Sequence, residues 1–207
     1  EWAEVISEAT TGSEYRYNKM ITSENSLLIG ISQSGETADT LVSLRKVKSK
    51  PYSEILALTN VVGSSITRLL EPGKIIFLNA GAEISVASTK AFTSMVVVQI
   101  LLALNLAEEK GTLTQQAVKN ILKELQTIPD KIQKILETKT QIARIAVQYV
   151  KWSSMYYIGR GINYPTALEG ALKLKEISYI HAEGYAAGEM KHGTIAGLER
   201  GVPGIAI

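Results

Sequence analysis

The sequence predicts an α/β protein in which parallel strands alternate with crossover helices. Three observations carry this. Short apolar runs close on polar or glycine-containing turns, most are followed by helical stretches, and the whole pattern restarts after about residue 112.

Ser26–Ser32 (SLLIGIS) is a short apolar run that stops at Gln33-Ser34-Gly35 and reads as a buried strand. Helical composition follows over Glu36–Lys48. Glu54–Thr59 (EILALT) is a second strand, closed by Asn60, with a short helix over Val62–Leu70. Lys74–Asn79 (KIIFLN) is a third strand, ending at Ala80-Gly81. Ala87–Leu106 is a long apolar helix, expected to be buried on several sides. Gly111-Thr112 and Thr127-Ile128-Pro129 are breaks, and Leu113–Gln126 between them has helical periodicity. Asp130–Tyr149 continues as helix, with Ile132, Ile135, Ile142 and Ile145 near helical spacing. Met155–Ile158 (MYYI) is a new strand that ends in Gly159-Arg160-Gly161. Pro165 suits the first turn of a helix running to about Tyr179. Val202–Ile207 is a last apolar strand. The first unit opens on a helix-like segment and the second closes on a strand with no sheet partner after it. Both units are therefore expected to be cut short, in a chain that lacks an initiator Met and starts inside a longer protein.

Composition removes several function classes. Of the 207 residues, 22 are Lys or Arg and 20 are Asp or Glu, so the net charge of +2 gives no strong attraction to nucleic acid or to an anionic membrane. The densest basic run, KVKSK at 46–50, fits the solvated end of a helix. There is no cysteine, which excludes disulfides, thiolate nucleophiles and Cys-based metal sites and fits a reducing, cytoplasmic compartment. No stretch reaches the roughly 18 unbroken apolar residues of a membrane span, the best candidate being SMVVVQILLALNLA at 94–107. The first residues lack a signal pattern.

Three segments carry chemistry. Ser32-Gln33-Ser34-Gly35-Glu36-Thr37 joins a strand to a helix, at the strand end where open parallel sheets bind ligands. Free N–H groups and a partial positive charge at the helix start suit a phosphate, and Gly35 lets the backbone approach an anion. The same residues also suit an ordinary N-cap and turn. With no Lys there, a Walker-type nucleotide loop is not expected. Val86-Ala87-Ser88-Thr89-Lys90 is a second hydroxyl cluster at the start of the long helix, open to the same two readings.

Glu169, Lys173 and Glu176 stand at i, i+4 and i+7, on one helical face. A buried carboxylate there could shuttle a proton between adjacent carbons, with the ammonium holding developing negative charge. A solvated face with salt bridges gives the same spacing. The two histidines are His181, which reads as structural, and His192, in the polar segment Gly188-Glu189-Met190-Lys191-His192-Gly193. A sugar isomerase must open a cyclic substrate, and imidazole titrates near the required pH, although a lone histidine is more often structural. Two histidines at this separation make a poor metal site, and neither a metal nor a cofactor is expected.

Taken together, ISQSGETADT (31–40), VASTKAFTS (86–94), ALEGALKLKEISYIHAE (167–183) and AAGEMKHG (186–193) resemble the glucosamine-6-phosphate synthase family, also called glutamine–fructose-6-phosphate aminotransferase (isomerising). The similarity runs in order from about Ser26 onward. SGET alone marks the wider sugar isomerase (SIS) fold, and the KLKEISYIHAE and GE-x-KHG segments are more specific. The resemblance implies flavodoxin-like parallel sheets flanked by helices, as tandem SIS domains over 1–112 and 113–207. It implies that Ser32, Gln33, Ser34 and Thr37 bind the substrate phosphate and that Val86 and Ser88 contact the sugar. Glu176 would be the base moving a proton between C1 and C2, with Glu169 and Lys173 positioning the open chain. Arg160 would stabilise the intermediate. His192 would assist ring opening from the neighbouring subunit, which implies a homodimer. The substrate pair would be fructose-6-phosphate and glucosamine-6-phosphate.

The family's glutaminase domain, the opening strand-loop of its first SIS domain and its C-terminal active-site lysine have no counterpart in these 207 residues. Met190 stands for a more usual Leu and Thr194 for a more usual Pro. The segment alone is therefore expected to bind fructose-6-phosphate weakly and to make no glucosamine-6-phosphate. Two other readings share these features. Another two-SIS enzyme, a glucosamine-6-phosphate deaminase or a fructosamine-phosphate deglycase, would keep the phosphate loop and the base. A non-catalytic phosphosugar sensor would keep Ser32–Thr37 and need no base.

Overall fold

The computed structural model describes residues 1–18, 25–49, 53–197 and 201–207, so Lys50 of the basic run lies outside the described residues. The chain divides into two compact units, Glu1–Gln126 and Thr127–Ile207. The helix that follows Gly111 belongs to the first unit because it packs on the long helix before it.

The first unit opens with α1 (Gly12–Tyr17), then β1 (Ser26–Ser32), α2 (Ala38–Lys48), β2 (Ser53–Thr59), α3 (Ser65–Leu69), β3 (Ile75–Phe77), α4 (Lys90–Lys110) and α5 (Gln115–Gln126). The strands form one parallel sheet in the order β1-β2-β3, with Ser26 facing Ser53 and Ser32 facing Thr59 in register. Strand β3 is shorter than the apolar run that predicts it. Lys74 completes a 3-10 turn started by Pro72, and Asn79 leaves the strand with a φ of 50°. Helix α2 closes one side of the core: its Leu41, Leu44 and Val47 pack with Ile55 and Ala57 of β2 and with Ile66 and Leu70. Leu44 lies so close over Gly30 that a β-carbon there would sit 2.8 Å from its side chain.

Helix α4 departs from expectation. It starts at Lys90, where the apolar run predicts Ala87, and only Ala91, Leu104 and Ala107 are buried among its described residues. Its apolar residues run round the whole circumference, so one packed stripe cannot cover them. By length and composition alone it is apolar enough to cross a membrane, a test that core helices of soluble proteins also pass. Gly111, at φ 71°, ends it, and the N–H groups of Gly111 and Thr112 return to the carbonyls of Glu108 and Ala107.

The second unit contains α6 (Ile128–Glu137), α7 (Lys139–Val147), β4 (Ser154–Gly159), α8 (Asn163–Ser178), β5 (His181–Ala186) and β6 (Gly204–Ala206). Its sheet is parallel too, in the order β5-β4-β6. The continuous helix expected over 130–149 is two helices. The Thr138 hydroxyl bonds back to the Ile135 carbonyl at 2.7 Å, and the Thr138 N–H takes the same carbonyl at 3.0 Å, which tightens and stops α6. The last strand, β6, pairs along β4, which precedes it, at Tyr156–Ile158. Strand β5 was not expected. Its sequence HAEGYA is half polar, because one face of it is only partly covered.

Helix α8 lies on the sheet through Ala167 and Ala171, 0% and 2% exposed. Small residues make that contact close: a β-carbon on Gly184 of β5 would sit 2.8 Å from the Leu168 backbone, and one on Gly170 the same distance from the Tyr157 ring. The helix ends at Tyr179, which takes the left-handed conformation (φ 61°) and donates its N–H to the Lys175 carbonyl.

The turn after β1 depends most on a single residue. Gly35 has φ 66°, and a β-carbon there would fall 2.2 Å from Ser64 Oγ and 2.8 Å from the Ile66 side chain. Gly35→Ala should lower the urea-unfolding free energy of the first unit by about 1–3 kcal/mol. An unchanged urea midpoint would show that the turn is not constrained as described.

Candidate functional site

In the first unit the site is built at the carboxyl ends of the strands. Ser32, the last residue of β1, is 6% exposed. Its Oγ accepts the Gly35 N–H at 3.1 Å and shares a hydrogen bond with Thr37 Oγ1 at 2.8 Å. Thr37 precedes α2 with extended backbone, yet its hydroxyl makes no capping bond to that helix. The first N–H groups of α2 therefore keep the electropositive character that an anion needs. Ser34 Oγ accepts the Glu36 N–H at 3.2 Å.

A carboxylate aimed at the start of α2 would repel an anion there. The Glu36 carboxyl turns instead to α3, where Oε2 takes the Ser65 hydroxyl at 2.6 Å and Oε1 the Ser65 N–H at 2.7 Å. The Ser65 hydroxyl, then the Ser65 N–H, hold it below the usual carboxylate range, with Arg68 adding a smaller pull.

Asn60 ties the three strand ends together, a role its sequence does not announce. Its N–H bonds the Gln33 carbonyl at 3.0 Å, its Oδ1 accepts the Ala80 N–H at 2.9 Å, and its Nδ2 donates to the Gly81 carbonyl at 2.7 Å. Glu83 was also overlooked. Its Oε1 accepts the N–H groups of Thr89 and Ala91 at 3.2 and 2.9 Å, so the start of α4 is capped from within the chain. Between them lie the other two expected residues. Val86 is 96% exposed, and Ser88 Oγ is a buried hydroxyl with no hydrogen-bond partner among the described residues. Such a group has an unmet bond that a ligand hydroxyl could fill.

A hollow of about 730 Å³ in the first unit does not include these residues. It runs along the free edge of β1, lined by Thr10, Gly12, Gly30, Thr40 and Gln99 among others. The Ser32–Thr37 turn does not line that hollow.

In the second unit, α8 carries the charged stripe on the side roughly opposite Ala167 and Ala171. Lys173 Nζ stands 3.3 Å from Glu169 Oε1 and 2.6 Å from Glu176 Oε2. The side chains of Glu169, Lys173 and Glu176 are 24%, 21% and 26% exposed, whereas the solvated Arg68–Glu36 pair is at 66% and 54%. The stripe is thus part-buried, unlike an ordinary solvated face. Burial pushes the Lys173 ammonium down, but its bond to Glu176 and the charge of Glu169 outweigh this, and its pKa lies above the ordinary lysine value. Arg160 is exposed in the turn between β4 and α8. His192 is exposed after the 3-10 turn Glu189–Lys191, on the segment that leaves β5.

Three side chains alternate along one face of β5. Tyr185 Oη donates to Glu183 Oε2, and Glu183 Oε1 meets His181 Nε2 at 3.2 Å. His181 therefore belongs to a polar strand face and not to an apolar core. The Glu183 bond pushes the Tyr185 phenol up to about 12, with burial adding to it.

The family described as SIS domain matches residues 1–105 and 148–207, which takes in most of α4. A glutamine–fructose-6-phosphate aminotransferase (isomerising) of Caldanaerobacter subterraneus subsp. tengcongensis is 47% identical over 206 residues, 100% of this chain and 33% of the relative. The protein of the same name from Clostridium tetani is 49% identical over 199 residues, 96% of this chain and 32% of its own length. The chain thus spans about a third of the curated relatives it matches. Among solved structures, the C-terminal domain of glucosamine-fructose-6-phosphate aminotransferase from Francisella tularensis superposes with a TM-score of 0.95 at 42% identity, over 100% of this chain and 58% of that one.

The Tyr185 phenol supplies a prediction. Its protonated form is favoured by the fold, so the stability it contributes is complete below about pH 10 and lost as pH rises towards 12. In an absorbance titration, Tyr185→Phe should remove a tyrosine that resists ionisation until about pH 12. Loss of one that ionises near pH 10 would contradict the Glu183 bond.

Proposed function

The chain belongs to the SIS domain family, and on that premise we propose that it is the isomerase portion of a glutamine–fructose-6-phosphate aminotransferase. In the complete protein this portion binds fructose-6-phosphate. With ammonia released from glutamine by a separate glutaminase domain, it yields glucosamine-6-phosphate. The two SIS domains are read from the sequence as 1–112 and 113–207, with the packing of α5 on α4 supporting a boundary nearer Gln126, in a cytoplasmic homodimer.

In this reading the substrate phosphate sits at the Ser32–Thr37 turn. The Ser34 hydroxyl, whichever of the Ser32 and Thr37 hydroxyls does not donate to the other, the Gln33 amide and the N–H groups at the start of α2 supply donors to it. The unpartnered Ser88 hydroxyl and the backbone around Val86 meet the sugar. His192 moves a proton as the ring opens, and Glu169 and Lys173 hold the open chain. Glu176 then takes a proton from C1 and returns it to C2. Lys173, a positive charge 2.6 Å from that carboxylate, offsets negative charge that builds on the substrate during the transfer. Arg160 offsets further charge on the intermediate.

The observation that carries the reading is the part-buried Glu169–Lys173–Glu176 stripe. A phosphosugar sensor would have no use for two part-buried carboxylates gathered around one ammonium. The test is Glu176→Gln in the complete protein. Turnover should fall by a factor of about 10²–10⁴, while fructose-6-phosphate still binds. Wild-type turnover in that variant would remove Glu176 as the proton carrier. A complete wild-type protein that binds the phosphosugar without converting it would favour the sensor. Ser34→Ala should weaken fructose-6-phosphate binding by about tenfold, read by calorimetry, and unaltered affinity would count against the phosphate seat.

A further inference from the structure

His192 has a defined backbone. It is exposed, and its imidazole makes no hydrogen bond among the described residues. Within its segment the order comes from two short backbone bonds, His192 N–H to the Glu189 carbonyl at 2.9 Å and Ala196 N–H to the Gly193 carbonyl at 3.0 Å. Among the described residues, both ends of the segment are hydrogen-bonded to β4. At the start, the Ala187 N–H donates to the Gly159 carbonyl at 2.8 Å. At the finish, the Tyr156 phenol donates to the Gly197 carbonyl at 3.0 Å.

The Tyr156 anchor is rigid. Tyr156 is 9% exposed and stands in the middle of β4, the central strand of its sheet. Its ring lies 5.7 Å from that of Tyr185 between centroids, and Tyr185 is held in turn by Glu183. The approach at Gly197 is tight, for a β-carbon there would fall 2.8 Å from the phenol oxygen.

We propose that Tyr156 is a positioning residue for His192: its phenol clasps the far end of the segment and so sets where the imidazole stands. This rests on the reading of His192 as the ring-opening group. A proton-transfer group on a loop acts only while it is held near the productive geometry, and a small displacement costs rate more than binding. Losing the phenol removes one hydrogen bond at the edge of the fold and leaves the core of the unit in place.

The experiment is a double-mutant cycle in the complete protein, with Tyr156→Phe, His192→Ala and the pair, following glucosamine-6-phosphate formation from fructose-6-phosphate and glutamine. Tyr156→Phe should lower kcat about tenfold, with KM within about twofold and Tm within about 4 °C. Because Tyr156 acts through His192, the pair should be no slower than His192→Ala alone. A wild-type kcat for Tyr156→Phe, or a pair slowed by the full product of the two single effects, overturns the proposal. A wild-type kcat for His192→Ala overturns the reading of His192 itself, and the clasp's catalytic purpose with it. If Tyr156→Phe does not fold, Gly197→Ala tests the same contact, since its methyl displaces the phenol. It should show the same kcat-selective loss, and unchanged kcat there would sink the clasp.

Discussion

The Ser32 hydroxyl is the contact on which the first unit's site rests. It is buried at the last residue of β1, and a buried hydroxyl left without partners costs free energy of the order of 1–3 kcal/mol. Its partners are found by bending the chain back at once, so that the Gly35 N–H and the Thr37 hydroxyl both reach it. Three consequences follow. Gly35 must take a left-handed conformation against Ser64, Thr37 is withdrawn from capping α2, and Glu36 swings away to Ser65. The last two leave the start of α2 more open to an anion.

The second unit solves a different electrostatic problem. A carboxylate that moves protons should be partly out of water, but two carboxylates on one helical face repel each other. Lys173 between Glu169 and Glu176 meets both requirements. Its ammonium loses hydration, and the two negative charges outweigh that loss. The sheet side of α8 is given to Ala167 and Ala171, which lets the helix lie close and keeps the charged stripe on the other side.

Much of this was legible in the residues. Strand β1 has the bounds its apolar run predicts, and β2 differs by one residue, because both runs are apolar on both faces and end at residues that break a ladder. Strand β5 was not legible, since its polar His181, Glu183 and Tyr185 satisfy one another on a partly covered face and mask the apolar signal. The split at Thr138 turns on one hydroxyl bonding backwards, which periodicity cannot register. The burial of α4 was overstated, because an all-round apolar helix resembles a buried one in sequence. In the candidate site, the hydroxyl cluster and the charged stripe were visible as spacing. Asn60 and Glu83 were not, because their work is long-range hydrogen bonding to backbone groups from other loops.

The central claim is that the turn after β1 seats a phosphate. The most direct measurement is a crystal structure of the complete protein with fructose-6-phosphate bound. Phosphate oxygens are expected within hydrogen-bond distance, about 2.7–3.2 Å, of the Ser34 hydroxyl and the first N–H groups of α2. A phosphate ordered elsewhere, with Ser32–Thr37 bare, would contradict it.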